Sequence, residues 1–186
     1  MTTATLPEAP TSTSSNKAHA GKYLTFALGH EEYGLEILKV REIFGYMDIT
    51  AIPQMPEYVK GVINLRGKVI PVINLRAKFS MPEVEVTEHT CIIVVDIKSE
   101  KGHVETGIVV DQVSEVLDII EGNIEPAPQF GSEVDSHIIL GMGKVGNDVK
   151  ILLDIDAVLN DDIIDLTGIA KQTSSEVKVA PEVVTA

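Results

Sequence analysis

The sequence predicts a mainly β chain made of two related subdomains, each a small barrel of about five strands. Short runs of alternating apolar and polar residues are separated by Gly, Pro, Asn and Asp turn signals. Aromatic residues make up only 4% of the chain and Trp is absent, so the core must consist of Val, Ile and Leu, which pack well on pleated sheets. An internal repeat in the apolar pattern divides the strands into two groups.

The first group of strands ends near residue 80. Its runs are Tyr23–Leu28, Tyr33–Ile37, 39–46, Gly61–Leu65 and Lys68–Leu75. The last two runs flank Arg66-Gly67, a two-residue connection typical of a β-hairpin. Pro71 has no backbone N–H, so we expect it at a sheet edge or a bulge.

The second group of strands begins near residue 88. Its runs are Cys91–Ile97, Thr106–Val113, Val116–Ile120, His137–Val145 and Val149–Ile155. The run from Cys91 is almost wholly apolar, which is typical of a buried strand. Two segments near the end predict a short C-terminal helix, namely Ile155–Asn160 and Ile163–Leu166.

The internal repeat relates the two groups. The pattern G-[LI]-x-[IV]-x-x-V-x-E-[IV] fits Gly34–Ile43 and fits Gly107–Val116, 73 residues later. Ile73–Phe79 and Leu153–Leu159 are related in the same way at an offset of 80 residues, and in both an apolar strand leads into Asn or Asp and a helical start. The repeat predicts subdomains at 23–80 and 88–160, and closing each into a barrel would remove exposed strand edges.

The two ends of the chain differ from this ordered part. Residues 1–20 and 168–186 are polar and aperiodic, so we expect disordered tails around a domain at 21–167. The N-terminus lacks a signal-peptide pattern, and no apolar run approaches the roughly 18 residues of a membrane span. With Cys91 as the only cysteine, this predicts a cytoplasmic protein that does not insert into the membrane.

Net charge is −13, and its distribution is uneven. Residues 21–84 contain 8 Lys/Arg against 7 Asp/Glu, whereas residues 85–167 contain 4 against 18. An acidic half repels phosphate backbones and anionic lipids, so we expect neither nucleic acid nor a membrane surface as a partner. The asymmetry indicates either a solubility surface or a molecule with two electrostatically different ends.

The sequence contains no catalytic constellation, so we expect neither an enzyme nor a cofactor or metal site. The five histidines lack metal-ligand spacing, and Cys91 lies within an apolar run, where a thiol is usually inert. Gly141–Gly146 matches G-x-G-x-x-G, but turn residues and an apolar strand follow it where a phosphate site needs a helix. Two alternatives stay open: a nucleotide-binding protein, and a small-ligand-binding β-barrel with a large apolar pocket.

Three motifs resemble those of one known family. Asn64-Leu65-Arg66-Gly67, followed by an apolar-Pro-apolar strand within Gly61–Arg76, closely resembles the signature of the CheW family. Glu31–Ile43 is similar to that family's opening hairpin, and Thr106–Val113 to its second-half strand. The resemblance spans residues 22–167 and implies two SH3-like five-stranded barrels with short helical connectors. It also implies a non-catalytic adaptor that couples chemoreceptor tips to the CheA histidine kinase in chemotaxis.

The resemblance implies the partners as well. They are the cytoplasmic tip of a methyl-accepting chemoreceptor, the regulatory domain of a CheA-type kinase, and ring-forming contacts with CheA or CheW within membrane-associated arrays. CheA kinases and CheV proteins carry the same domain beside a kinase region or a receiver domain. A chain of 186 residues has room for neither, so the resemblance implies a stand-alone CheW scaffold in a two-component system.

The resemblance assigns two groups of site residues. A receptor-binding groove between the barrels would contain Ile37, Val40, Glu42 and Cys91, although Ile37 and Cys91 also suit an ordinary core. A loop or partner contact would contain Gly61, Arg66 and Gly67. Arg66 is either an exposed turn cation or a planar fork paired with a carboxylate, and the two glycines suit backbone geometry.

Overall fold

The computed structural model describes residues 18–99, 102–128 and 136–160. In this part of the chain, the strands are β1 Gly21–Leu28, β2 Glu31–Glu36, β3 Val40–Gly45, β4 Val59–Leu65, β5 Lys68–Asn74, β6 Cys91–Ser99, β7 Gly102–Val110, β8 Gln112–Ile119, β9 Ile124–Glu125, β10 Ile139–Val145 and β11 Asp148–Leu153. Helix α1 is Leu75–Lys78, helix α2 is 155–160, and 3₁₀ turns occupy Ile37–Lys39, Glu121–Asn123 and Ser136–Ile138. The prediction of a mainly β fold with short helices is confirmed.

The strands form two sheets, each of five full strands. The first sheet has the order β3-β6-β7-β5-β4, and the second has the order β8-β1-β2-β11-β10 with the two-residue β9 at its edge. The predicted helix Ile163–Leu166 and most of the two predicted tails lie outside the described residues.

The sheets do not follow the predicted segments 23–80 and 88–160, because the halves of the chain exchange hairpins. Hairpin β1–β2 lies in the second sheet, between β8 and β11, and hairpin β6–β7 lies in the first sheet, between β3 and β5. The exchange depends on two parallel pairings, β2 with β11 and β5 with β7. Each hairpin therefore has both its edges covered by strands of the other half.

The repeat seen in the sequence lies at equivalent positions of the two sheets. Gly34 pairs with Leu152 in the second sheet, and Gly107 pairs with Val72 in the first. A Cβ at Gly34 would lie 2.8 Å from Leu152 Cδ2, and one at Gly107 would lie 3.0 Å from Ile92 Cγ2. Both positions favour glycine, because a Cβ at either place would displace a neighbouring side chain.

Buried side chains form a central core shared by both sheets and a smaller core within each sheet. Strand β6 serves two of these cores, because Ile93 and Val95 face the central core while Ile92 and Val94 face the core of the first sheet. This two-sided burial explains the apolar run at 91–97. The core of the second sheet is built on Tyr23, Ile119 and Leu152.

Pro71 does not lie on an edge strand, although the sequence predicted an edge or a bulge. Strand β5 is interior, with β4 on one side and β7 on the other. Its parallel pairing with β7 begins at Val72, so Pro71 precedes the residues that pair there. The missing N–H is tolerated because that pairing does not extend to the proline.

The two short helices start in the same way. Asn74 Oδ1 accepts hydrogen bonds from the backbone N–H groups of Arg76 and Ala77, at 3.0 and 3.4 Å. Asp154 Oδ1 accepts from Ala157 N at 3.2 Å. Both side chains satisfy donors that a helix start leaves unpaired. Among the described residues, no helix is long and apolar enough to span a bilayer.

Candidate partner-binding surfaces

In the part of the chain that the structure describes, the backbone crosses between the sheets at two places, and one of them exposes a large apolar side chain. The first crossover is the 3₁₀ turn Ile37–Lys39, which joins β2 to β3. The second crossover is Asp111, which joins β7 to β8. Leu38 on the first crossover is 88% exposed, next to half-buried Ile37. The first crossover is thus an apolar protrusion at the edge of the central core.

Three of the predicted groove residues pack against the central core. Ile37, Val40 and Cys91 are each partly buried there. Val40 pairs with Val95 on β6, whereas Cys91 begins that strand. Four residues of strand separate these positions, which is about 13 Å. Ile37 and Val40 therefore share one end of the surface, and Cys91 lies at the other end, where its thiol donates to His89 O at 3.2 Å.

Glu42 lies apart from the other groove residues. A register shift falls between Val40 and Glu42, so the next pairing on β6 moves from Val95 to Val94. Val94 belongs to the core of the first sheet, not to the central core. Glu42 accepts a hydrogen bond from Arg66 Nη2, which joins it to the tip of the β4–β5 hairpin.

The β4–β5 hairpin has a type I′ turn. Arg66 and Gly67 both have positive φ, at 54° and 82°, as this turn requires. Asn64 Oδ1 accepts from the Gly67 N–H at 2.9 Å and fixes the turn. Arg66 is 72% exposed and is also paired with Glu42, so it is both a turn cation and a carboxylate partner.

Gly61 has a structural role away from the turn. It is buried in β4 with φ +140°, beside a register shift. A Cβ there would lie 1.9 Å from the Thr50 carbonyl oxygen. Thr50 bridges to Val62 through two backbone hydrogen bonds of 2.9 Å. Gly61 therefore permits the close approach of the chain at Thr50.

The first sheet carries a group of ion pairs that we call the paired-charge face. Its members are Arg41, Glu42, Arg66, Lys68, Asp96, His103 and Glu105. Asp96 accepts from Arg41 Nε at 3.1 Å and contacts His103 Nδ1 at 2.9 Å. The hydrogen bond from Arg41 holds the pKa of Asp96 below its usual value. Burial raises this pKa, and the contact with His103 lowers it further. Lys68 pairs with Glu105 at 2.7 Å.

An ion pair fixes each crossover, and neither pair was predicted from the sequence. At the second crossover, Arg76 Nε lies 2.7 Å from Asp111 Oδ1, and Nη2 lies 2.7 Å from Oδ2. At the first crossover, Lys39 donates to Asp156 on α2. The partners are far apart in the sequence, so no local pattern predicts either pair.

Leu38 is a further functional candidate that was not predicted from the sequence. It stands at an unspecified position of the repeat pattern, where the second copy has Asp111. An apolar residue where the other copy of the repeat has a carboxylate could have marked Leu38 as a candidate binding residue.

The structure does not support the two alternative functions. Gly141–Gly146 spans strand β10 and its turn, and strand β11 follows where a phosphate site needs a helix. A cavity of about 490 Å³ lies beside Phe79, Ile138 and Val158, and none of the predicted site residues lines it. Within the described ranges, no group of three His, Cys, Asp or Glu is placed to hold a metal ion.

Comparisons with known proteins agree with this architecture. A family model described as the CheW-like domain matches residues 22–162. The chemotaxis protein CheW of Klebsiella aerogenes is 43% identical over 141 residues, covering 76% of this chain and 82% of that protein. The chemotaxis protein CheW of Bacillus subtilis is 34% identical, covering 75% of this chain and 86% of that protein. The crystal structure of the scaffolding protein TtCheW from Thermoanaerobacter tengcongensis superposes with a TM-score of 0.67 at 35% identity, covering 75% of this chain and 92% of that one.

Proposed function

Since this chain belongs to the CheW family and is a chemotaxis coupling adaptor, we propose which of its surfaces bind which partners. The adaptor joins a methyl-accepting chemoreceptor tip to the regulatory domain of a CheA-type kinase. Receptor state then biases the kinase through a coupling free energy, typically about 1–3 kcal/mol. The two partners need separate surfaces, and the chain offers one apolar and one charged surface.

The receptor-binding surface is the first crossover with the start of β3. A receptor tip is a helical hairpin, and an amphipathic helix docks through apolar anchors spaced along one face. Ile37 and Val40 provide such anchors at the edge of the central core. The observation that carries the proposal is the 88% exposure of Leu38 between them. Cys91 marks the far end of the same surface.

The kinase-binding surface is the paired-charge face, with Arg66 and Gly67 at its tip. It contains the cations Arg41, Arg66 and Lys68, and the equivalent residues of the second sheet are Ser114, Gly146 and Asp148. At these three positions the first sheet has cations and the second has none, and this difference suits head-to-tail contacts between related barrels. Such contacts close into rings with CheA or with further CheW copies when the rotation closes.

The receptor surface is tested by Val40→Lys. A cation at this edge removes an anchor and places a charge against an apolar helix, so the affinity for a receptor tip fragment should fall about tenfold or more. Binding to the CheA regulatory domain should be retained. Affinities are measured by titration calorimetry, and circular dichroism with urea unfolding confirms the fold. Val149→Lys, which alters an exposed valine of the second sheet, is the matched control.

Two outcomes would contradict this assignment. If Val40→Lys folds and binds the receptor fragment normally, the surface lies elsewhere. If Val40→Lys unfolds, Val40 is a core residue and its assignment is withdrawn.

The charged surface is tested by ionic strength. Opposite local fields accelerate association, and salt screens exposed charges over about 8 Å at physiological ionic strength. We expect the association rate with the kinase regulatory domain to fall as salt rises, and to fall less steeply for Arg66→Gln. A rate that is indifferent to salt would refute the electrostatic part of the proposal.

In this proposal the chain catalyses no reaction, binds no cofactor and works in the cytoplasm beside membrane-bound receptor arrays. Its working unit is the domain at 21–167, and the tails at 1–20 and 168–186 are dispensable for both contacts. Both affinities of a chain trimmed to 21–167 should equal those of the full chain, and weaker binding would assign a role to the tails.

A further inference from the structure

The first crossover is held by Asp156 of helix α2, a residue from the second half of the chain. Lys39 Nζ donates to Asp156 Oδ2 across 117 positions of sequence. The other carboxylate oxygen, Oδ1, accepts the backbone N–H of Lys98 at 2.9 Å. Asp156 therefore connects α2, strand β6 and the first crossover through one carboxylate. Because β6 holds the carboxylate independently, Asp156 is a fixed point for the lysine.

The turn at the first crossover is anchored through Ile37 against the central core, but its start has no side-chain cap. Its N-cap residue, Glu36, makes no capping hydrogen bond through its side chain, and Val40 N closes the turn onto Ile37 O. Lys39 is the charged residue of this short turn and directly follows Leu38. The ion pair to Asp156 thus restrains the segment that presents the apolar anchors.

We propose that Asp156 is a positioning residue for receptor binding, acting through Lys39 on the Ile37–Lys39 turn. The inference rests on the proposed receptor surface and adds a residue of the C-terminal helix to it. Asp156 does not itself have to touch the receptor. A receptor helix that meets a restrained turn has less conformational freedom to remove on binding, and this restraint raises affinity.

The pair contributes more to geometry than to stability. The Lys39 and Asp156 side chains are 26% and 27% exposed, so water reaches both. Ion pairs in such positions add little to folding free energy because solvent screens them. A residue that serves only stability would weaken binding to both partners or to neither. Asp156 should affect receptor binding alone.

The test is a double-mutant cycle with Lys39→Met and Asp156→Asn in the full chain. Asparagine keeps an oxygen for the Lys98 N–H and removes the charge that meets Lys39. Each single variant should bind a receptor tip fragment about two- to fivefold more weakly, the range that one such pair supplies. The double variant should bind no more weakly than either single variant. Binding to the kinase regulatory domain should not change.

A spectroscopic measurement separates positioning from stability. The methyl resonances of Leu38 should shift in Asp156→Asn at a temperature where the protein is fully folded. Lys144→Met breaks a comparable exposed pair, with Glu125 at 2.6 Å, and should affect neither Leu38 nor receptor binding.

The possible failures are distinguishable. Additive effects in the cycle, or unchanged receptor affinity in Asp156→Asn while Val40→Lys loses binding, would overturn the positioning role alone. Unchanged binding in Val40→Lys would overturn the proposed receptor surface, and the positioning role with it.

Discussion

Each crossover is fixed by an ion pair to the second residue of a short helix, and the two pairs have opposite polarity. At the second crossover, the cation Arg76 lies on helix α1 and the carboxylate Asp111 lies on the crossover itself. At the first crossover, the carboxylate Asp156 lies on helix α2 and the cation Lys39 lies on the crossover. Arg76 and Asp156 are each the second residue of their helix, 80 positions apart. We call these two ion pairs tethers. Their helix ends are equivalent in the repeat with reversed charge, whereas Lys39 stands one position after Leu38, the residue equivalent to Asp111.

The backbone anchor of each carboxylate is also equivalent. Asp111 Oδ2 accepts the N–H of Gly29, which follows β1, at 2.8 Å. Asp156 Oδ1 accepts the N–H of Lys98, near the end of β6, at 2.9 Å. Strands β1 and β6 hold the same place in their sheets. In both halves, a carboxylate therefore bonds to the end of a hairpin strand and to one side-chain cation.

The two tethers differ in rigidity. The Arg76 and Asp111 side chains are 11% and 24% exposed, and the planar guanidinium donates through two nitrogens. Arg76 also donates to Pro82 O at 2.8 Å. The ammonium of Lys39 is a point charge on a flexible stem, with no fixed fork. The rigid tether holds a crossover with no exposed anchor, and the flexible tether holds the crossover that presents Leu38.

Of the substitutions at the two crossovers, Arg76→Met should reduce the free energy of unfolding most. The substitution removes the hydrogen bonds from Arg76 Nε and Nη2 to Asp111 and from Nη1 to Pro82 O, and leaves a partly buried carboxylate without its cation. We expect the free energy of unfolding to fall by about 2–3 kcal/mol. Urea unfolding at pH 7, followed by circular dichroism, measures the change.

Arg76→Lys is the control that keeps the positive charge but removes the planar guanidinium. It should recover part of the loss, because an ammonium retains the attraction to Asp111 but not the two-pronged geometry. Full recovery in Arg76→Lys would mean that the two tethers do not differ in the way proposed.

Acid should reduce the difference between wild type and Arg76→Met. Burial raises the pKa of Asp111, but the hydrogen bonds from Arg76 and the Gly29 N–H outweigh it, so the pKa lies below its usual value. A carboxyl with a lowered folded-state pKa stabilises the fold above its unfolded pKa of about 3.9, and this contribution is lost as pH falls through the folded-state pKa.

The measurement is the free energy of unfolding from pH 7 to pH 3. The gap between the two proteins should be constant near neutral pH and should narrow below about pH 4. Asp96 also has a lowered pKa, but its partner Arg41 is present in both proteins, so its contribution cancels. A gap that widens in acid would show that Asp111 is not the group responsible.

The strands and tight turns could largely be predicted from the sequence. Burial of one face of a strand gives apolar residues at every second position, and tight turns need particular residues. Arg66-Gly67 marked one hairpin, and the repeated glycines Gly34 and Gly107 marked equivalent strands. The hairpin exchange did not follow. Alternation shows which residues are buried, but not that β2 lies beside β11 rather than a strand of its own half.

The candidate site was only partly predictable. Ile37 and Val40 were assigned through the family resemblance, and the structure places both beside the first crossover. Glu42 was also assigned through the resemblance, and nothing in the sequence marks the register shift after Val40 or the bond from Arg66 to Glu42. Asp156 was missed because its partner is 117 positions away. In the aligned repeat, Asp156 stands where the first copy has the opposite charge, Arg76. This reversal could have marked Asp156 as a candidate, but only after the two copies were aligned.

Lys39→Met should have the smallest effect on stability. The pair with Asp156 is partly exposed, and such pairs contribute about 0.2–1 kcal/mol. We expect the free energy of unfolding to fall within that range, and the loss to shrink in 1 M salt because screening weakens the wild-type pair. Lys39→Arg, which offers a fork to Asp156, should restore stability while making the turn more rigid. If Lys39→Met destabilises the protein as much as Arg76→Met does, the crossovers are equally rigid. The Lys39–Asp156 pair would then not be more flexible than the Arg76–Asp111 pair, and flexibility would not be a special feature of the crossover that carries Leu38.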